Sequence, residues 1–226
     1  MNTYVIATHN AKKLAELSRI LEPLGIEAVT RELSEAEETG DTFAANAFIK
    51  AESACRETGM PAIADDSGLM VDALGGRPGI YSARYAGENA TDADRNVKLL
   101  EELKDVPEEQ RTAKFVSAIC CVFPNGEQVT AVGECPGRIG FAPKGENGFG
   151  YDPLFIPADC GVGKHDKRPN TEGRSYAQLT PDEKDAISHR GNALAALEQQ
   201  LPGFLSAAKE EGVIAQVSGK VEIRLK

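Results

Sequence analysis

The chain predicts an α/β fold, on three observations. Its 226 residues suffice for one sizeable core. Short apolar runs with strand alternation recur between segments of helical spacing. The stretch from Pro61 to Gly87, PAIADDSGLMVDALGGRPGIYSARYAG, joins two buried-looking runs through adjacent carboxylates. No linker divides the chain, so one domain, at most bilobal, is expected. The formal charge of −10 and a pI near 4.9 argue against a nucleic acid polymer or an anionic membrane as partner. A small anion still fits if basic residues converge locally. No apolar run approaches the roughly 20 residues of a membrane span, and the first residues enter a strand without a signal-peptide pattern, which predicts a cytoplasmic protein. Five cysteines, Cys55, Cys120, Cys121, Cys135 and Cys160, show no CxxC spacing. They suggest neither a disulfide framework nor a zinc site and read as small core residues.

Residues 3–8 alternate as a strand. Asn10 is then placed to cap a helix whose Leu14, Leu17, Leu21 and Leu24 follow helical spacing until Gly25 stops it. The segment THNAKK therefore sits at a helix N-terminus, where free N–H groups favour an anion. Thr8, Asn10 and Lys13 would add a hydroxyl, an amide and a cation there. An ordinary capped helix explains the same residues, and the Gly-rich spacing of a phosphate loop is absent. Residues 26–30 give a second strand, and the acidic run with Glu35, Glu37 and Glu38 before Gly40 reads on its own as a solvated loop. From Thr42 a helix carries Phe43, Ala47, Phe48, Ala51, Ala54 and Cys55 on an apolar face, with Asn46 and Lys50 on another flank. Lys50 is either a surface lysine or a phosphate contact.

Residues 61–64 and 69–74 read as two short strands, with Asp65, Asp66 and Ser67 at their junction. Two successive buried carboxylates ask for a cation, a proton or a dense set of donors. A divalent metal meets that demand; so does a turn in which Asp and Ser bond their own backbone. The glycine-rich segment that follows predicts a loop. Thr91 with Asp94 predicts a capping box, opening a helix with Val97, Leu100 and Leu103 on its apolar face. Residues 112–123 and 128–135 form a hairpin turned by Pro124, Asn125 and Gly126.

Residues 141–157 are Gly-rich and aromatic, placing Phe149, Gly150, Tyr151 and Asp152 on a loop before a short strand. Exposed rings beside a carboxylate suit base stacking, whereas a hydrophobic plug over the core accounts for them equally. Residues 158–174 are polar and irregular, predicting a mobile insertion. Thr180, Pro181 and Glu183 open a helix that carries Lys184, Ser188, His189 and Arg190. Such a basic face is either solvated or balances the acidic clusters earlier in the chain. Pro202 and Gly203 then separate a short amphipathic helix from Phe204, and Val221, Ile223 and Leu225 alternate as an edge strand.

In order, THNAKK, EETGDTFAANAFIKA, AIADDSGLMVDALGGRPGIYSARYAG, FGYDPLF and LTPDEKDAISHRGNAL resemble the RdgB/Ham1 family and the related inosine triphosphate pyrophosphatases. The resemblance implies a two-lobed ITPase-like α/β fold with a long mixed β-sheet flanked by helices, a central cleft and a homodimer. It places a catalytic domain at residues 1–201 and leaves 202–226 as a C-terminal extension. It further implies hydrolysis of non-standard purine nucleoside triphosphates (ITP, dITP, XTP) to monophosphate and pyrophosphate, with Mg²⁺ as cofactor. Residue by residue, Thr8, His9, Asn10, Ala11, Lys12 and Lys13 match the triphosphate-binding start, and Lys50 matches a lysine that reaches the phosphates. Glu38 and Asp66 match the metal-associated acids. Asp66 also matches the residue that accepts the proton of the attacking water, with Ser67 touching substrate. Phe149, Gly150, Tyr151 and Asp152 match the nucleoside-binding loop, and Lys184, His189 and Arg190 match contacts to phosphate and purine. Two acids of the family pattern are replaced here by Ala44 and Ala45, and the 158–174 stretch is longer than the pattern.

Two other functions compete. A Mg²⁺ phosphatase that releases orthophosphate would carry its aspartate nucleophile in a DxD pattern, which DDS is not. A non-catalytic nucleotide sensor would have no need of a water-activating acid.

Overall fold

A computed structural model describes residues 2–22, 26–162, 166–210, 214–217 and 220–223. The strands β1 (Asn2–Ile6), β2 (Ile26–Val29), β3 (Ala62–Val71), β4 (Thr112–Val122), β5 (Gln128–Ile139) and β6 (Phe155–Pro157) form one mixed sheet in the order β2-β1-β3-β4-β5-β6. β1 runs parallel to both β2 and β3, as helical crossovers require, and β6 is antiparallel to β5. The chain divides into two compact units: Met1–Asp66, Ala118–Gly133 and Ala193–Lys226 form the first, and Ser67–Ser117 with Glu134–Asn192 the second.

In the first unit, α1 (Ala11–Leu21) begins at Asn10, whose side-chain oxygen accepts from the Lys12 and Lys13 N–H groups, a cap worth about 0.5–2 kcal/mol. Leu17 and Leu21 are fully buried, with Tyr4, Ile6, Ile63, Ile119 and Leu197 in the same core. The expected stop at Leu24 and Gly25 lies outside the described residues. The helix α2 (Phe43–Thr58) buries Phe43, Asn46, Ala47, Ala51, Ala54 and Cys55. Phe48 is not on that face; a stripe repeating every three to four residues from Phe43 passes Asn46 and Ala47 and leaves Phe48 outside it. Asn46 is buried with its Oδ1 accepting the Gly40 N–H at 2.8 Å, while its Nδ2 has no hydrogen-bond partner among the described residues.

β3 is continuous. Asp65, Asp66 and Ser67 lie inside one ten-residue strand, not at a junction between two, and the strand closes into a short 3₁₀ turn at Asp72–Leu74. The acids do not break the strand because side-chain cations meet them. The helix α3 (Asp92–Glu102) opens with the expected Thr91–Asp94 capping box. It buries Leu99, with Leu103 just past its end, whereas Val97, expected on that face, is exposed and Leu100 is half-buried. β5 runs four residues beyond its expected end. Pro136 reads as a strand stop, but its carbonyl still accepts the Ala158 N–H. The core of the second unit centres on Phe115, whose ring lies 4.8 Å from Phe155 and 5.6 Å from Tyr176.

Residues 158–174, expected to be irregular, contain the antiparallel ribbon β7 (Asp159–Val162) and β8 (Asp166–Pro169). Cys160 is buried in the core. Gly161 lies so close to the backbone that follows Thr180 that a Cβ would stand 2.1 Å from the Glu183 oxygen. Polar composition concealed the ribbon, because one buried thiol and one glycine contact give no periodic pattern. The expected basic helix is two: α4 (Pro181–Asp185), capped by Thr180 and Glu183, and α5 (His189–Glu210). α5 continues through Pro202 and Gly203, which were expected to separate two helices. After it, β9 (Ile214–Val217) and β10 (Lys220–Ile223) pair antiparallel. β10 covers the expected alternation at Val221 and Ile223, while Leu225 lies outside the described residues.

Candidate functional site

The first unit assembles two lysines and three acids from four segments. Lys13 of α1 reaches Asp65 of β3, with Nζ 3.0 Å from Oδ2. Lys50 of α2 stands between two carboxylates, donating to Asp66 Oδ1 at 2.9 Å and to Glu38 Oε1 at 3.0 Å. Glu38, not its exposed neighbour Glu37, makes this contact. Asp65 and Asp66 are both buried. Asp66 Oδ2 is buried too, with no hydrogen-bond partner among the described residues. Burial raises the Asp66 pKa above the usual carboxylate value, the Lys50 and Lys13 ammoniums pull it back in part, and Glu38 adds to the rise. For Lys50, burial works against the charged form, but the two carboxylates outweigh it and hold the ammonium above the ordinary lysine value.

The THNAKK segment behaves mainly as a capped turn. Thr8 Oγ1 accepts the Asn10 N–H at 3.1 Å, and the Asn10 side chain takes the N–H groups of Lys12 and Lys13. His9, Ala11 and Lys12 are exposed, so within this segment Lys13 joins the acid cluster by an ion pair. Hard divalent cations take oxygen ligands, and Mg²⁺ commonly takes only one or two carboxylates from the protein. Asp66 Oδ2 and the Glu38 carboxylate are such donors. Among the described residues no group of three metal-binding side chains occurs.

The second unit assembles the remaining residues. Ser67 Oγ accepts from Arg190 Nη2 at 2.7 Å. Lys184 and Asp152, both buried, pair at 2.8 Å, and the same Asp152 oxygen accepts the Phe149 N–H at 2.9 Å. Half-buried Phe149 presents its ring to both cations, with Lys184 Nζ 5.1 Å and Arg190 Cζ 5.6 Å from the centroid. The basic trio is therefore not a solvated face: Lys184, His189 and Arg190 are all buried. His189 stacks on Phe115 at 4.8 Å, inside the core. Tyr151 is not an exposed platform either, since its ring is buried and its hydroxyl donates to the Ser82 carbonyl at 2.9 Å. Gly148 must be glycine: its φ is +76°, and a Cβ there would meet Asp152 Oδ2 at 2.0 Å.

Sequence reasoning missed the residues that hold this loop from outside. Gly150 is bonded through both its backbone groups by Asp92 and Asn96 of α3. Ser82, besides accepting from Tyr151, takes the Leu69 N–H on its hydroxyl. These contacts span 54 to 58 residues for α3 and 13 for Leu69. No local pattern encodes such separations.

A mixed-sheet α/β protein with a buried lysine–carboxylate cluster in one unit and a cation-backed aromatic ring in the other belongs among proteins that handle charged, ring-bearing small molecules. More narrowly, the chain belongs to the Ham1 family, whose model matches residues 4–200. It is similar to the dITP/XTP pyrophosphatase of Nocardia farcinica, 48% identical over 215 residues that cover 92% of this chain and 97% of the relative. It is also similar to the dITP/XTP pyrophosphatase of Geobacillus kaustophilus, 46% identical over 204 residues, covering 88% of this chain and 94% of that one. Among solved structures, a HAM1 protein from Coxiella burnetii aligns with a TM-score of 0.77 at 41% identity over 90% of this chain and 100% of that chain.

Proposed function

We propose that this chain hydrolyses triphosphates of non-standard purine nucleosides, ITP, dITP and XTP among them, to the monophosphate and pyrophosphate. The observation that carries the reading is Asp66, buried beside Lys50 and Glu38 with one carboxylate oxygen that has no hydrogen-bond partner among the described residues. The names of the relatives supply the substrate class. In this reading Lys13 and Lys50 turn their ammoniums to phosphate oxygens and stabilise the departing pyrophosphate. Asp66 takes a proton from the attacking water. Glu38 and Asp66 fit Mg²⁺ and would hold it; when bound it would offset triphosphate charge and orient water at the α-phosphorus. Thr8, His9, Asn10, Ala11 and Lys12 bind the triphosphate, and Ser67 contacts the substrate.

The Phe149 ring stacks on the base, in a loop with Gly150, Tyr151 and Asp152. Lys184 and Arg190 offer only donors to the base edge, and His189 backs them from the core. A purine with an oxygen at position 6 accepts from such groups, whereas the 6-amino group of ATP sets donor against donor. Each unsatisfied buried group costs about 1–3 kcal/mol, so ATP should be the poor substrate. Residues 1–201 form the catalytic domain and 202–226 an extension to it. The protein works as a cytoplasmic homodimer, without nucleic acid polymer or membrane as partner. Among the described residues no helix is long and apolar enough to cross a membrane.

The deciding experiment is phosphorus NMR of ITP incubated with enzyme and Mg²⁺. IMP with pyrophosphate is expected. IDP with orthophosphate would instead establish a phosphatase, and unchanged ITP that still binds would establish a sensor.

A further inference from the structure

We propose that Asp92 and Asn96, on the first two turns of α3, are positioning residues for purine selection: they fix Phe149 by clamping the backbone of its neighbour Gly150. This rests on the reading of the Phe149 loop as the base site. Asp92 Oδ2 accepts the Gly150 N–H at 2.9 Å, and Asn96 Nδ2 donates to the Gly150 carbonyl at 3.1 Å. One residue thus has both backbone groups held by two side chains one helical turn apart, the spacing that puts them on one helix face.

The held residue matters because of where it lies. Phe149 sits between Gly148 and Gly150, both in the left-handed region with φ of 76° and 62°. Glycines on either side give a backbone free to swing, and a ring on such a backbone has no fixed direction unless its neighbours are tied. On one side the tie is Asp152, which accepts the Phe149 N–H. On the other it is α3. The helix end that performs it is itself held: Arg95 pairs with Asp92 and donates to the carbonyls of Ala83 at 2.8 Å and Ala90 at 2.6 Å. Asn96 Oδ1, meanwhile, is buried without a hydrogen-bond partner among the described residues. An amide here therefore leaves an acceptor unsatisfied, and what it contributes is the donor bond to Gly150.

Asp92 and Asn96 belong to the second unit and the Lys13, Lys50 and Asp66 cluster to the first, so loosening the clamp should spoil binding of the base and leave the chemical step intact. Displacement of a positioned group by about 1 Å costs up to roughly 10²-fold. In the full-length protein, Asn96→Ala and Asp92→Ala should raise KM for ITP about tenfold with kcat within about twofold. They should also shrink the ITP-over-ATP ratio of kcat/KM at least about fivefold. Asp92→Asn keeps an oxygen for the Gly150 N–H but loses the ion pair with Arg95 and should lie between wild type and Asp92→Ala, whereas Asn96→Asp loses the donor and should behave like Asn96→Ala.

Amide hydrogen exchange at Gly150 reads the clamp without substrate: protection should disappear in Asp92→Ala and persist in Asp92→Asn. If the alanine variants fail to fold, the near-isosteric pair Asp92→Asn and Asn96→Asp carries the same comparison. Protection retained in Asp92→Ala overturns the clamp. Fast exchange with an unchanged ITP-over-ATP ratio overturns its link to base selection, and so does an equal fall in kcat for both substrates. Failure of the underlying base-site reading would show separately, as a wild type that does not turn over ITP while Gly150 remains protected.

Discussion

Replacing Lys184 by methionine tests the geometry most directly. The Lys184 and Asp152 side chains are 8% and 4% exposed, and their charged atoms are 2.8 Å apart. Methionine keeps most of the buried stem and removes the charge, which leaves Asp152 a buried carboxylate without its ammonium, still accepting the Phe149 N–H. Breaking a buried pair by removing one partner costs about 3–5 kcal/mol. The surviving charge-assisted bond puts the expectation at the lower end, about 3 kcal/mol. For a chain of this length each 1 kcal/mol moves Tm by about 2–4 °C, so the midpoint should fall by about 6–12 °C. Adding Asp152→Asn should then recover at least about half of the loss, because the unpaired charge is gone while an oxygen for the Phe149 N–H remains. Urea unfolding followed by far-UV circular dichroism is the assay, since the chain has no tryptophan to report by fluorescence. A loss below about 1 kcal/mol, or no recovery in the double variant, would mean that the pair is not desolvated as described, and the account of Lys184 would have to be given up.

Asp66→Asn should keep the fold and lower kcat for ITP by about 10²-fold or more, because a proton acceptor and a metal ligand go together; turnover within tenfold of wild type at saturating Mg²⁺ would count against the role given to Asp66. Gly148→Ala should destabilise the protein by about 2–4 kcal/mol in urea, combining left-handed backbone strain with a clash against Asp152. Burial pushes the Cys55 and Cys135 thiols up to about 11 and raises Cys120 and Cys121 as well. A thiol reagent at pH 8 should therefore modify fewer than about one group per native chain within minutes, and all five after denaturation. Glu183 is held below the usual carboxylate range, first by the Thr180 N–H and then by Arg174. A depressed carboxylate stabilises the fold above its unfolded pKa, and that contribution is lost as pH falls through the folded value. Glu183→Gln should thus be less stable than wild type near neutrality and converge with it on acidification; a gap that stays constant with pH would contradict the assignment.

What the sequence disclosed follows from how local each feature is. The Thr91 and Thr180 capping boxes and the Asn10 cap are written within four residues, and each appears where the spacing puts it. Apolar alternation located β1, β2 and β4, but it split β3 at its acids and stopped β5 four residues short. The acid–lysine cluster was visible only through the family resemblance. Lys13, Glu38, Lys50 and Asp66 are far apart in sequence, and each alone reads as an ordinary surface or turn residue. Burial of charge was the least legible quantity. Lys184, His189 and Arg190 look like a solvated basic face until Asp152, Phe115 and Ser67, distant in the chain, are brought against them. Phe48 and Val97 were misplaced for a simpler reason: a helix stripe is about 100° wide, and one residue of error in phase takes a side chain out of it.

The unbroken run of β3 through Asp65, Asp66 and Ser67 has a bearing on which mutations this family of chains can tolerate. Successive side chains of a strand leave on opposite sides, and here three neighbours answer to three different cations: Lys13, Lys50 and Arg190. Substitutions change one of these partnerships at a time. Loss or gain of a single codon between Ala62 and Ala64 would shift all three at once, delivering Ser67 to the place of Asp66 or Asp65 to that place, with every apolar neighbour turned to the wrong side as well. The segment from 158 to 174 pairs within its own ribbon, so β3 is where the reading frame of the site is kept.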